Sequence, residues 1–190
     1  MAPPLEGEEP PKSAPRPRPK AGFATTSECP NALEVVNFKS CPYPGRVSKK
    51  SQRIAALIGD HRGHQFDPHY LGYFTCFNQG LYYEAHDVLE ELWLADRRGP
   101  LGDFYKGLIQ FAGAFVHLQK NRLRPAAALF KLALNNLEKY PRLHEHLNVA
   151  TTCELARKWL EGVERARFDV NPLTGQNAPA LRLESEAHER

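Results

Sequence analysis

No run of roughly 18 apolar residues occurs anywhere in the 190-residue chain, so no segment reads as a helix able to cross a bilayer. Charge of one sign is equally scarce. The formal net charge of +3 falls well short of the concentrated basic footprint that neutralising several phosphates requires, and nucleic-acid binding is not expected. Four cysteines are present, Cys29, Cys41, Cys76 and Cys153. They are scattered, and without a Cys-x-x-Cys pair there is no zinc knuckle or dithiol motif. Nor is there a nucleophile elbow, a phosphate-cradling glycine loop, a dinucleotide fingerprint or a His-Glu-x-x-His helix. The opening residues as far as Pro11 carry Glu6, Glu8 and Glu9 but no basic residue and no apolar centre. That excludes a secretory leader and argues against an Arg-rich transit peptide, so a soluble, cytoplasmic protein without a membrane partner is expected.

What the chain does have is enough apolar material for one core, 42% hydrophobic and 10% aromatic, unevenly distributed. Seven of the 16 prolines fall in the first 20 residues, interleaved with Lys12, Arg16, Arg18 and Lys20. Residues 1–21 therefore read as a disordered Pro-rich tail, and residues 22–45, with Phe23, Val35, Val36, Phe38 and Tyr43 at no regular period, as an irregular arm. Residues 46–168 read as a helical domain. Asn171-Pro172-Leu173-Thr174-Gly175 is a turn signature that ends the helical pattern, leaving 169–190 as a C-terminal tail in which Pro179 to Leu183 adds at most a short extended segment.

Within 46–168 the punctuation by Gly, Pro and Asn predicts an all-α single bundle of five or six helices. Cys76 and Cys153 fall where a small buried hydrophobe fits. The first helix spans about Ser48 to Ile58, and its cluster Arg46, Lys49, Lys50 and Arg53 reads as a solvated face. Asp67 and Pro68 read as N-cap and first residue of a second helix, about Tyr70 to Gln79; Gly80 stops it, and Tyr82 to Ala95 follows. On that third helix His86 lies inside the apolar face, Glu90 borders it one turn later, and Glu84 favourably meets the helix dipole. The fourth helix, Leu101 to Asn121, is apolar nearly all round and therefore central. Its remaining stripe holds Gly107, Gln110, Gly113, Ala114 and His117. An unpaired buried amide or imidazole costs about 1–3 kcal/mol, which makes His86 and Glu90 the expected partners of Gln110 and His117. Pro125 lies in the first turn of a fifth helix. Thr151 and Glu154 match a capping box for a last helix starting near Asn148 or Thr151.

The run Phe77-Asn78-Gln79-Gly80-Leu81-Tyr82-Tyr83-Glu84-Ala85-His86-Asp87-Val88-Leu89-Glu90, then Trp93, then Gly107-Leu108-Ile109-Gln110 and His117, resembles the domain of unknown function 309 family. The resemblance covers roughly Tyr70 to Tyr140. It implies a compact helical bundle and no established activity. Pro125 departs from the family, which tends to have Gly before Ala there; only the local turn is affected.

Three function classes follow. The first is a binding or structural module with a polar pocket between two central helices, built from Asn78, His86, Glu90, Trp93, Gln110 and His117 and accepting a small ligand or a protein. No second copy at a fixed period supports a repeat array. The second is a metal-dependent enzyme, such as a hydrolase, in which His86, Glu90 and His117 ligate a divalent metal while Gln110 or Asn78 orients substrate; the Glu-x-x-His signature of di-iron bundles is missing. The third is acid-base catalysis by His86 and Glu90, or by the two histidines, on a molecule held against Trp93. The loop residues Asp60, His61, His64, Asp67 and His69 form another collection of potential ligands, read more simply as a helix start with solvated histidines, and His144 and His146 are read the same way.

Overall fold

Phe115 touches aromatic rings from four other helices, and the bundle is arranged around it. The computed structural model describes residues 49–184. Residues 1–48 lie outside these, and with them the Pro-rich tail, the whole arm, Cys29, Cys41 and Arg46. Among the described residues there are six helices, all-α in class: α1 (Lys49–Leu57), α2 (Pro68–Asn78), α3 (Tyr82–Ala95), α4 (Gly102–Gln119), α5 (Leu123–Leu137) and α6 (Val149–Arg165). One 3-10 turn, Gly59–His61, follows α1.

The bounds follow from local chemistry. Asp67 caps α2, its carboxylate accepting from the His69 N–H at 2.8 Å, with Pro68 in the first turn where no N–H is needed. Gly80, at φ +75°, ends α2: its N–H donates to Phe77 O at 2.9 Å and Leu81 N–H to Cys76 O at 2.9 Å, the paired bonds of a Schellman turn. Asn121, at φ +53°, does the same for α4, with Arg122 N–H on His117 O at 2.8 Å. The last helix is capped by Asn148, whose side chain accepts from Thr151 N–H at 3.1 Å. Of the two expected starts, Asn148 is therefore the one used, and the Thr151 capping box is not. A further departure is the hairpin β1 (Leu143–His144) with β2 (Leu147–Asn148), two residues per strand and too short to show an alternating period.

As its composition requires, α4 is central. The Phe115 ring packs within 5.0–5.5 Å of Phe77 in α2, Tyr82 in α3, Phe130 in α5 and Trp159 in α6, mostly edge-on, as ring quadrupoles favour. Two polar ends are satisfied at range, whereas the Tyr82 hydroxyl is buried without a hydrogen-bond partner. The buried Tyr73 hydroxyl donates to Leu108 O at 2.9 Å, and the N–H of Phe104, in the uncapped first turn of α4, donates to the Tyr140 hydroxyl at 2.9 Å. Cys76 and Cys153 are buried, and burial pushes the Cys76 thiol up to about 11.

Residues 171–184, expected as part of a tail, lie across the bundle. Asn171 donates to Leu118 O at 2.7 Å, Leu181 is buried, and Leu183 bridges Leu147.

Candidate functional site

Side chains one residue apart on α3 serve two different surroundings. Toward α1 and α2 the helix presents Glu84, Asp87, Glu90 and Glu91, a spacing that keeps carboxylates on one face. On α1, Lys50 and Arg53, three apart, face them. Lys50 Nζ lies 2.7 Å from Glu90 and 3.2 Å from Asp87; Arg53 lies 3.2 Å from Asp87 and 3.5 Å from Glu84. Partial burial works against the Lys50 ammonium, yet its hydrogen bonds to Glu90 and Asp87 hold it above its ordinary range. Lys50 and Arg53 of the basic cluster are thus half of an ionic seam, because α1 packs on α3, while Lys49 stands on the exposed face. From α2, His69 joins the seam at 3.7 Å from Glu91, and its bond to Asp67 raises it above the usual imidazole range.

On the other side of α3 a cavity of about 350 Å³ opens between α3, α4 and α5. Tyr83 and His86 come from α3. The α4 stripe Ile109, Gln110, Gly113, Val116 and His117 forms the floor, Leu129 closes the α5 side, and Lys120 and Arg122 stand where α4 ends. Glycine at 113 makes the space: a Cβ there would meet Leu129 Cδ1 at 3.3 Å and His86 Cδ2 at 3.8 Å. The contrast is Gly107, about 1.7 turns earlier, where a Cβ would meet Leu137 Cγ at 2.7 Å and the helices are in contact. Ridge packing closes the lower interface and leaves the upper one open.

The six residues expected to share one pocket divide four ways. His86, Gln110 and His117 line the cavity together. Asn78 does not: its side chain pairs with Leu181, donating to the carbonyl and accepting from the N–H, both at 2.8 Å. Glu90 points to Lys50. Trp93 packs against the core, about 10 Å beyond His86 along the helix axis, and is not among the lining residues.

The expected partners also change. Gln110 is paired not by α3 but by α5: its Oε1 accepts from Asn136 Nδ2 at 2.7 Å. Asn136 is a buried amide in the apolar stripe of α5, and a polar residue three after Ala133 and one before Leu137 was the signal that could have found it. His117 Nδ1 is buried with no hydrogen-bond partner. Desolvation, then the nearby charges of Arg122 and Lys120, hold its imidazole below the ordinary value of 6.5. Sequence reasoning also missed Tyr83, Lys120 and Arg122; basic residues at a helix C-terminus ordinarily just complement its dipole, so they carry no separate signal.

For a metal, the donor set differs from His86, Glu90 and His117. Among the described residues, one group of three meets the spacing: His86, Asp87 and Glu90, with ligand atoms within 4.8 Å of one another. His117 is not in it. Both carboxylates already carry Lys50, and Asp87 also carries Arg53, so a cation there would have to displace two side-chain cations. The loop histidines do not converge either. His61 meets Thr75 at 3.0 Å, His69 meets Asp67 at 2.9 Å, and His144 packs on Tyr140 and Phe104.

The family model described as Domain of unknown function (DUF309) matches residues 70–129, which takes in α2, α3, α4 and the start of α5. No curated protein and no solved structure matches the chain.

Proposed function

We propose that this chain, whose residues 70–129 match the DUF309 family model, is a binding module that takes a small molecule into the cavity between α3, α4 and α5. The observation that carries this reading is His117: an imidazole on the cavity wall with a buried, unpartnered Nδ1. Such an orphan costs about 1–3 kcal/mol, a burden a purely structural network would shed by replacing the imidazole with an apolar side chain. The glycine beside it supports the same reading, since Gly113 holds open volume that a larger residue would fill. Cavities of this kind, mostly apolar with a few convergent polar groups, are the usual shape of small-molecule sites.

The test is a ligand-observed NMR fragment screen on the full chain and on Gly113→Met, whose flexible side chain fills the cavity. Fragments that bind the wild type are expected to lose binding to the plugged variant while its melting temperature is kept. Retention of binding by Gly113→Met would place the site elsewhere, and a screen without hits would leave His86, Gln110 and His117 as a register-setting network.

A second reading, a metal-dependent enzyme, has the proximity of His86, Asp87 and Glu90 in its favour and the Lys50 and Arg53 contacts against it. Elemental mass spectrometry of the same untagged samples decides it: near one equivalent of divalent metal, lost in His86→Ala, would displace the binding reading.

A further inference from the structure

We infer that the molecule taken into this cavity is a small amphiphile with a single carboxylate head, held where α4 ends, and a short apolar body directed along the α4 stripe. This rests on the binding reading above and specifies its ligand class. Apart from the Tyr83 phenol, the charged and titratable side chains lining the cavity are His86, His117, Lys120 and Arg122, and none of the lining residues is acidic. Glu90, which carries Lys50, and Asp87 each place an oxygen within 4.8 Å of a His86 ring nitrogen; the closer is Asp87, whose Oδ1 lies 3.4 Å from His86 Nδ1. It is already engaged by Lys50 and Arg53, each at 3.2 Å, and does not cancel the basic end.

The polarity of the site is set by the two helices that meet there. The Gln119 side chain donates to Gly80 O at 2.9 Å and Lys120 Nζ stands 5.7 Å over the Tyr83 ring, so α3 begins where α4 ends. The last carbonyls of α4 would repel an anion, but His117 O accepts from Arg122 N–H at 2.8 Å, and Leu118 O accepts from both Asn121 N–H at 2.9 Å and Asn171 at 2.7 Å. Their dipole is further offset by the positive start of α3. The basic side chains act on the wall itself, since Arg122 and Lys120 both disfavour a proton on His117. At the far end the lining is Ile109, Gly113 and Leu129 with Gln110 and His86, and no Lys or Arg reaches it. A second anionic group would be placed there without a permanent cation, which is costly, so the ligand carries one. A cavity of about 350 Å³ holds on the order of ten non-hydrogen atoms, taking roughly 30 Å³ for each as for water.

The test uses the full ¹⁵N-labelled chain titrated with hexanoate, hexanamide and hexylamine, which share a chain length and differ in head charge. The amides of Gly113, Val116 and His117 report the cavity. Hexanoate is expected to bind about tenfold tighter than hexanamide, the ratio that one charge-assisted hydrogen bond supplies, with hexylamine weakest. That preference is expected to fall below about twofold in the double variant K120Q/R122Q; both side chains are exposed, and its remaining amide spectrum should superpose on the wild type. Hexanamide or hexylamine binding as tightly as hexanoate at those amides would overturn the carboxylate class while leaving the cavity as the site. Undiminished hexanoate preference in K120Q/R122Q would overturn the placement of the head. Absence of shifts at all three amides with every probe would overturn the binding reading itself.

Discussion

His86 and Asp87 are neighbours in sequence and opposites in circumstance. Asp87 is buried at 4% exposure and meets two cations; the α1 side of α3 is a seam in which Glu84, Asp87 and Glu90 each have a partner. The cavity side, reached by His86, holds a buried nitrogen without one and a glycine whose missing side chain leaves space beside Leu129. Both faces carry polar residues in an apolar bundle, and the sequence pattern alone does not separate them. Satisfaction separates them: a paired polar group locks an element in place, whereas an unpaired one beside empty space keeps capacity for something else.

That contrast can be broken most forcefully at the seam. Replacing Asp87 by Ala leaves Lys50 and Arg53 facing a buried gap; because their side chains are 40% and 46% exposed they can turn toward water, and the expected loss is about 2 kcal/mol in chemical denaturation. A loss below about 0.5 kcal/mol would show the seam to be a surface decoration. The two glycines sharpen the comparison on one helix. Gly107→Ala drives a Cβ into Leu137 and is expected to cost about 1–2 kcal/mol net of helix propensity. Gly113→Ala needs only a small shift of Leu129 and is expected to be neutral or to gain up to about 1 kcal/mol. Equal losses would mean that the upper interface is as tightly packed as the lower.

The smallest effect is in pH dependence, where two histidines pull in opposite directions. His69 is raised in the folded state by Asp67, so its contribution is fully present below 6.5 and fades as pH rises through its folded value. His117 is lowered by desolvation and by Arg122 and Lys120, so the unfolded chain takes up its proton first and stability falls as pH drops below 6.5. Urea midpoints measured from about pH 8 to about pH 5.5 should therefore show a steeper acid loss for His69→Gln and a shallower one for His117→Gln; parallel curves would remove the assigned surroundings of both.

Much of the architecture was legible because it is local. The bounds of α3, the Asp67 and Pro68 start, the Gly80 stop and the burial of α4 all follow from residues within a turn or two of each other. What escaped depends on distant parts of the chain. Asn136 reaches Gln110 across 26 positions, Lys50 reaches Glu90 across 40, and neither leaves a period. Three of the six pocket candidates stand on the cavity wall because position on a helix face was readable. Asn78, Glu90 and Trp93 are elsewhere because distance along the axis and the arrival of α1 and the 171–184 segment were not. The choice of Asn148 over Thr151 as the cap has a similar origin, since the hairpin that delivers it is too short to announce itself.

The bond pair between Asn78 and Leu181 spans 103 positions. Closing so long a loop costs about 4 kcal/mol in chain entropy alone, more than two hydrogen bonds return. This clasp therefore cannot initiate folding. It fastens only after the bundle has formed and the 171–184 segment has been laid beside α2, and it is expected to be the first connection to open when the protein breathes. In an amide-exchange experiment the Leu181 N–H would register that order, losing protection well before the amides of α4.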